Sequence, residues 1–212
     1  MTVNHHTVAM RSLLVVLALA AGAAGGPWSA TPARGDDGLT ESPDGPEHVR
    51  HYYSLADALD EVFDGADTTW TEAWTPDTAA VAAMEARLGL RLDGRPVTFH
   101  RARRGGRDLG WAIELEEKGR FKPITFLVHV QPGGDVGKVL VMVYRESRGD
   151  GVRRQRFLRQ FRGKRADDAL RLNRDVVAVS GATMSSRALT VGVKRALVLT
   201  HQRYGADAGA RP

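Results

Sequence analysis

Between Val97 and Tyr144 the sequence alternates at a period of two through four segments: Val97–Ala102, Leu109–Leu115, Ile124–Val130 and Val136–Tyr144. Gly105-Gly106 and Pro132-Gly133-Gly134 mark the turns. A parallel crossover needs a dozen or more residues, so strands joined by turns this short are expected to form an antiparallel meander. On either side the period becomes helical. Ser54 can cap a helix carrying Leu55, Ala58, Leu59 and Val62, and a second helix follows Pro76 over Asp77–Leu90, with Ala80, Val81, Met84 and Leu88 on one face. After the strands, Phe157, Leu158 and Phe161 share one side of a short helix, and Leu189, Val193, Ala196, Leu197 and Thr200 one side of a longer one. The expected fold class is α+β, a single antiparallel twisted sheet with helices packed against it.

The 212 residues include no cysteine. That excludes disulfides, thiolate zinc sites, cysteine-held iron–sulfur clusters and thioether haem, so any redox chemistry must use a borrowed organic cofactor. Lys and Arg number 30 against 25 Asp and Glu, a net charge of +5, and 42% of the residues are hydrophobic. This is the composition of an ordinary globular domain with extra segments.

Residues 1–33 are expected to be a signal peptide or N-terminal membrane anchor, because Arg11 precedes the apolar run Leu13–Ala24, which gives way to small residues. Residues 34–50 are expected to be a flexible linker, since they are rich in glycine, proline and acids. An N-terminal helical segment, 51–92, is expected to pack on the main domain, 93–205, followed by a disordered tail, 206–212. Trp70 and Trp74, four apart, are assigned to packing that segment on the sheet.

Chemistry concentrates in Val176-Val177-Ala178-Val179-Ser180-Gly181-Ala182-Thr183-Met184-Ser185-Ser186. A β-branched strand, a small-residue turn and a helix start in that order present free backbone N–H groups and a positive helix end, which make an anion site. Gly181 and Ala182 keep the backbone approachable, and the hydroxyls of Ser180, Thr183 and Ser185 can bond a phosphate or be joined to one. Spacing alone leaves open that Ser185 or Thr183 merely caps the helix. A second polar loop, Glu146-Ser147-Arg148-Gly149, follows the last strand, where Gly149 is free to take positive φ and backbone groups can be presented to a ligand. An exposed hairpin with Glu146 paired to an arginine is the plainer reading of that loop.

Ser180-Gly181-Ala182-Thr183 with Met184-Ser185-Ser186 resembles the flavinylation motif of the FMN-binding domain family, which includes the FMN-carrying subunits of sodium-pumping NADH:quinone oxidoreductase and Rnf-type complexes. Tyr144–Gly149 resembles the family's Glu-(Ser/Thr)-x-Gly loop, and Phe157–Lys164 the helix and Gly-Lys after it. Phe121-Lys122-Pro123-Ile124-Thr125 resembles one of the family's sheet strands. The resemblance implies FMN as cofactor, joined by a phosphoester to Thr183 by an extracytoplasmic flavin transferase with FAD as donor. It implies a cradle of Ser180, Gly181, Ala182, Met184 and Ser185, with Glu146, Ser147, Arg148 and Gly149 bordering the ring. The motif departs at one position: the family's Asp three residues before the serine is Val177 here, with Asp175 two residues earlier.

Residues 151–165 hold seven basic residues and no acidic one. With Phe157, Leu158 and Phe161 in the core the arginines form a solvated rim, open to an anionic membrane surface or an acidic redox partner, whereas export argues against nucleic acid. His48 and His51 form an HxxH pair without a third ligand, and His100 and His129 are assigned to packing. No metal site, catalytic acid or catalytic base is expected. The expected function is an exported FMN flavoprotein, at the periplasmic or extracytoplasmic face of the membrane, transferring electrons between redox proteins. The alternatives are a non-redox sensor or assembly module with an empty flavin site, and a small flavin reductase.

Overall fold

The computed structural model describes residues 48–205; the expected leader at 1–33, most of the expected linker and the tail at 206–212 lie outside the described residues. Six strands, β1 (Arg50–His51), β2 (Thr68–Trp74), β3 (Val97–Arg104), β4 (Arg107–Lys118), β5 (Pro123–Val130) and β6 (Val136–Tyr144), form one sheet in the order β1-β6-β5-β4-β3-β2. Every pairing is antiparallel. The four strands of the meander lie where the alternation puts them, and the architecture is α+β.

Within the expected N-terminal helical segment, 51–92, Thr68–Trp74 is not helical but an edge strand zipped along β3 from Thr68↔Arg103 to Trp74↔Val97. Its β-branched and aromatic residues favour a pleated surface. Positions four apart share a face in a strand as well as in a helix, so the Trp70/Trp74 spacing cannot tell the two apart. The two helices around it form as expected. Helix α1 (Leu55–Val62) starts with a capping box in which the Ser54 hydroxyl accepts from Asp57 N, and α2 (Thr78–Leu88) is capped by Asp77 and stopped by Gly89 at φ 67°.

The sheet buries both faces. On one, α1 packs Ala58 and Phe63 against Ala102, Ala112, Leu127, Leu140 and Met142. On the other lie α2, the four-residue α3 (Gln155–Leu158) with its 3₁₀ extension Arg159–Phe161, and the 22-residue α4 (Thr183–Tyr204), around Phe99, Ile113, Phe126, Val128 and Val141. Among the described residues, no helix is long and apolar enough to cross a membrane. Helix α4 meets β4 and β5 so closely at Gly192 that a Cβ there would overlap the Phe126 ring.

The last turn of α4 is fastened at Arg101. Its guanidinium pairs with Glu72 at 3.0 Å and with Asp108, and lies 5.0, 5.4 and 5.5 Å from the ring centroids of Trp70, Trp111 and Tyr204. Glu72 also accepts from Tyr204 Oη (2.6 Å) and Trp70 Nε1 (2.9 Å). Burial alone would push the Glu72 carboxyl up, but the bonds from Tyr204, Trp70 and Arg101 outweigh it and hold the group below its ordinary range. A depressed carboxylate contributes stability that is fully present above its unfolded value, about pH 4.3, and disappears as pH falls through the folded value. Glu72→Gln is therefore expected to cost about 2 kcal/mol at pH 7. The penalty should shrink steadily below about pH 4.3 in denaturant titrations across pH.

Candidate functional site

Helix α4 begins at Thr183 with Ala182 as N-cap and no side-chain cap hydrogen bond. The capping role left open for Ser185 and Thr183 is thus not taken. Both Ser185 and Ser186 are buried and engaged elsewhere: Ser186 Oγ accepts from Val179 N at 3.0 Å, and Ser185 Oγ lies 2.9 Å from Tyr144 Oη. The first intrahelical bond runs from Ser186 N to Ala182 O at 2.8 Å, which leaves the amides of Thr183, Met184 and Ser185 ahead of the helical ladder. Thr183 itself is exposed.

The segment leading in is not the expected strand. Val176 makes only an isolated bridge to Leu172, because β1 already occupies the free edge of β6. In place of a neighbouring strand the Gln160 side chain takes both backbone groups of Val177, its Oε1 accepting from N (2.8 Å) and its Nε2 donating to O (3.1 Å). This turns the Val177 side chain outward at 71% exposure. Asp175 is occupied, accepting from Arg171 N at 2.8 Å.

A cavity of about 860 Å³ opens at the start of α4, within the range of small-molecule sites. Three parts of the chain wall it: Gly181–Ser185, Glu146–Arg148, and Arg120 with Phe121, joined by His48. The structure thus brings together Gly181, Ala182, Thr183, Met184 and Ser185 with Glu146, Ser147 and Arg148. Ser180 and Gly149 flank the wall without lining it.

Two buried polar side chains hold these walls in register. Tyr144 Oη donates to Arg148 O (2.7 Å); having one proton, it then accepts from the Ser185 hydroxyl. This phenol ties the loop after β6 to the first turn of α4. Burial pushes it up to about 12, so it stays protonated through the physiological range. Gly149, at φ 91°, passes so near that a Cβ would lie 2.7 Å from Tyr144 Oη and 3.3 Å from Ala182 Cβ, which leaves no room for another residue.

Glu146 does the corresponding work for the third wall. It is 5% exposed, and its Oε1 accepts from the backbone N–H of Arg120, of Phe121 (2.9 Å) and of Lys122 (3.4 Å). Glu146 therefore orders the loop after Gly119 and is not paired to an arginine, which overturns the plainer reading of its loop. A Cβ on Gly119 would overlap that carboxylate. The Arg120–Phe121 wall is missed by the sequence reading, which takes Phe121 into a sheet strand. A bulky aromatic beside Gly119, exposed at 47%, is the available signal. Arg145 points elsewhere, to Thr125 Oγ1 (2.7 Å) and Glu116 (3.3 Å), and is not part of the cavity wall.

The wall chemistry fits FMN. Free amides and an unfilled backbone approach at Gly181, where a Cβ would meet nothing within 4 Å, suit a phosphate. Phe121 and Met184 supply apolar area, Arg120 and Arg148 positive charge, and the buried, unpartnered Nδ1 of His48 a polar atom for a ligand edge.

Residues 119–198 match the family model described as the FMN-binding domain. The chain is 31% identical over 129 residues to a component of the proton-translocating ferredoxin:NAD(+) oxidoreductase complex of Clostridium ljungdahlii, covering 57% of this chain and 69% of that one. Among solved structures it is similar to NqrC of Shewanella oneidensis, at 24% identity and a TM-score of 0.43 over 71% of this chain and 75% of that one. It is also similar to the corresponding component of the Na(+)-translocating NADH-quinone reductase of Parabacteroides distasonis, at 13% identity and a TM-score of 0.45 over 69% and 80%.

Tyr144→Phe is expected to strand the Arg148 carbonyl and the Ser185 hydroxyl and to cost about 1–3 kcal/mol. Glu146→Ala should release the third wall selectively. Hydrogen exchange would then speed up at the Arg120 and Phe121 amides with little change along α4.

Proposed function

Because the chain belongs to the FMN-binding domain family, we propose that it is an exported flavoprotein that holds FMN through a phosphoester to Thr183 Oγ1 and passes electrons between membrane or extracytoplasmic redox partners. One observation carries the assignment of Thr183: its exposed hydroxyl stands at the open first turn of α4, on the wall of the cavity, with no side chain capping the amides beside it. Bound FMN supplies the one- and two-electron chemistry. The chain's own residues hold and screen it.

A phosphodiester keeps one negative charge, which the α4 amides and the positive end of its dipole would stabilise. Attachment from FAD would place the Thr183 oxygen on the FMN phosphorus, with AMP leaving and the hydroxyl proton lost to solvent. Ser147, Arg148 and Phe121 would border the ring, while Glu146 and Tyr144 act one step removed by holding those walls. Export and the choice of partners rest on the apolar leader Leu13–Ala24 and on the family resemblance. So does maturation by a flavin transferase.

A second reading, a non-redox sensor or assembly module with an empty flavin site, draws on Val177 standing where the family motif has Asp. Asp175 does not offer a substitute, since its carboxylate is bonded to Arg171 N. Intact mass of protein exported from a host with an active flavin transferase separates the two. The proposal expects a species heavier by one FMN less one water, absent in Thr183→Val; an unmodified wild-type chain would overturn the covalent assignment. With its side chain in solvent, Val177→Asp should leave the folded domain unchanged and raise the flavinylated fraction.

A further inference from the structure

Four large hydrophobic residues are exposed among the described residues: Val49, Phe121, Val177 and Met184. Two of the four belong to the cavity at the start of α4. Phe121 and Met184 line it, Val49 follows His48 on its wall, and Val177 lies four residues before Gly181. Scattered single hydrophobics need no explanation, but Phe121 and Met184 stand together on the wall of one cavity, which suits an interaction site.

The arginine-rich stretch, α3 with its extension, is bonded to the segment that leads into this cavity, because Gln160 grips the Val177 backbone at 2.8 and 3.1 Å. Phe157, Leu158 and Phe161 are buried in the core, which leaves Arg154, Arg156, Arg159 and Arg162 exposed. None of the four has an acidic partner among the described residues. Asp150 is taken by Arg50 (3.0 Å) and Arg153 (3.7 Å), and Asp175 by Arg171. Positive charge here is therefore uncompensated, on an element bonded four residues ahead of the cavity residue Gly181.

We propose that this arginine face, with Val177 beside it, docks an acidic electron-transfer protein at the mouth of the flavin cavity. The proposal rests on the reading of the chain as an FMN electron carrier. Electron-transfer encounters use small, transient interfaces, and uncompensated charge serves them by steering diffusion. Guanidinium forks bind carboxylates bidentately, which suits an acidic protein surface. A membrane surface fits less well, because interfacial helices bury an apolar face in the lipid and the apolar face of α3 is already spent on the core. In each encounter one electron leaves the reduced centre of one protein and enters the oxidised centre of the other.

The test uses the flavin-loaded full chain and an acidic probe, a reduced plant-type [2Fe–2S] ferredoxin, mixed in stopped flow. The ferredoxin centre is oxidised by one electron and the flavin reduced. Wild-type rates should fall steeply with salt, and R154E/R156E/R159E should be slower by about tenfold or more at low salt, with an unchanged flavin spectrum. Basic cytochrome c, accepting electrons from the reduced flavin, should react no more slowly with the variant than with wild type. The Gln-substituted triple variant, folded by circular dichroism, should fall between. Equal ferredoxin rates for wild type and variant would overturn the proposal. So would arginine-dependent sedimentation with phosphatidylglycerol vesicles when ferredoxin rates are unaffected. If the chain proves to carry no flavin, the electron-carrier reading fails separately, and anisotropy of labelled ferredoxin still judges the face. Binding weakened about tenfold in the variant supports docking; binding indifferent to the arginines sinks it.

Discussion

The seating of α4 on the sheet determines where everything else in the molecule goes. Gly192 lets the helix axis approach β5 until the Phe126 ring fills the space a Cβ would need, and Leu189, Val193, Ala196 and Leu197 bury around that contact. A helix of 22 residues is a rod of about 33 Å at 1.5 Å per residue, so fixing its middle and its far end fixes its start. The far end is held by Tyr204, bonded to Glu72 and stacked against Trp111 at 5.0 Å. The position of Thr183 is thus inherited from core contacts many residues away. Loops do not set it.

Loops still build most of the cavity, and polar groups inside the protein discipline them. A buried carboxylate at Glu146 is costly unless its lone pairs are used, and three backbone amides use them. The Tyr144 phenol is likewise satisfied on both sides. The consequence is a division of labour within the polar motif after β6. Its first residue is buried and shapes a neighbouring loop, while Ser147 and Arg148 stand more exposed on the same cavity wall.

The regular elements are legible because each carries an unambiguous period: alternation through 97–144, and helical spacing with a Ser54 or Asp77 cap at each early helix. The misses share a cause. Trp70 and Trp74 satisfy both periods, so only pairing with β3 decides for the strand. Val176–Val179 has strand-forming residues but pairs with no strand of the sheet, and a single glutamine side chain supplies the missing partner. The Arg120–Phe121 wall depends on a carboxylate 25 or more residues away in sequence, a contact no local pattern encodes. The motif at Ser180–Ser185 is visible as chemistry, yet its neighbours Ser147 and Arg148 are brought to it by a long-range contact, the Tyr144–Ser185 bond, that no local pattern encodes.

An open cavity with half-exposed walls poses a retention problem. Phe121 at 47% and Met184 at 48% exposure leave a ring only partly enclosed, so little apolar burial would be available to hold a cofactor by affinity alone. In the reading proposed above, a phosphoester at Thr183 replaces that affinity, and the site can then stay open. Openness is what an electron carrier requires, because its partner must approach the ring closely. Deep burial would secure the cofactor and isolate it. On that reading, a covalent tether on a rigid helix, with the ring left near the surface, would answer both demands, and the unpaired arginines of the α3 stretch would steer the partner in.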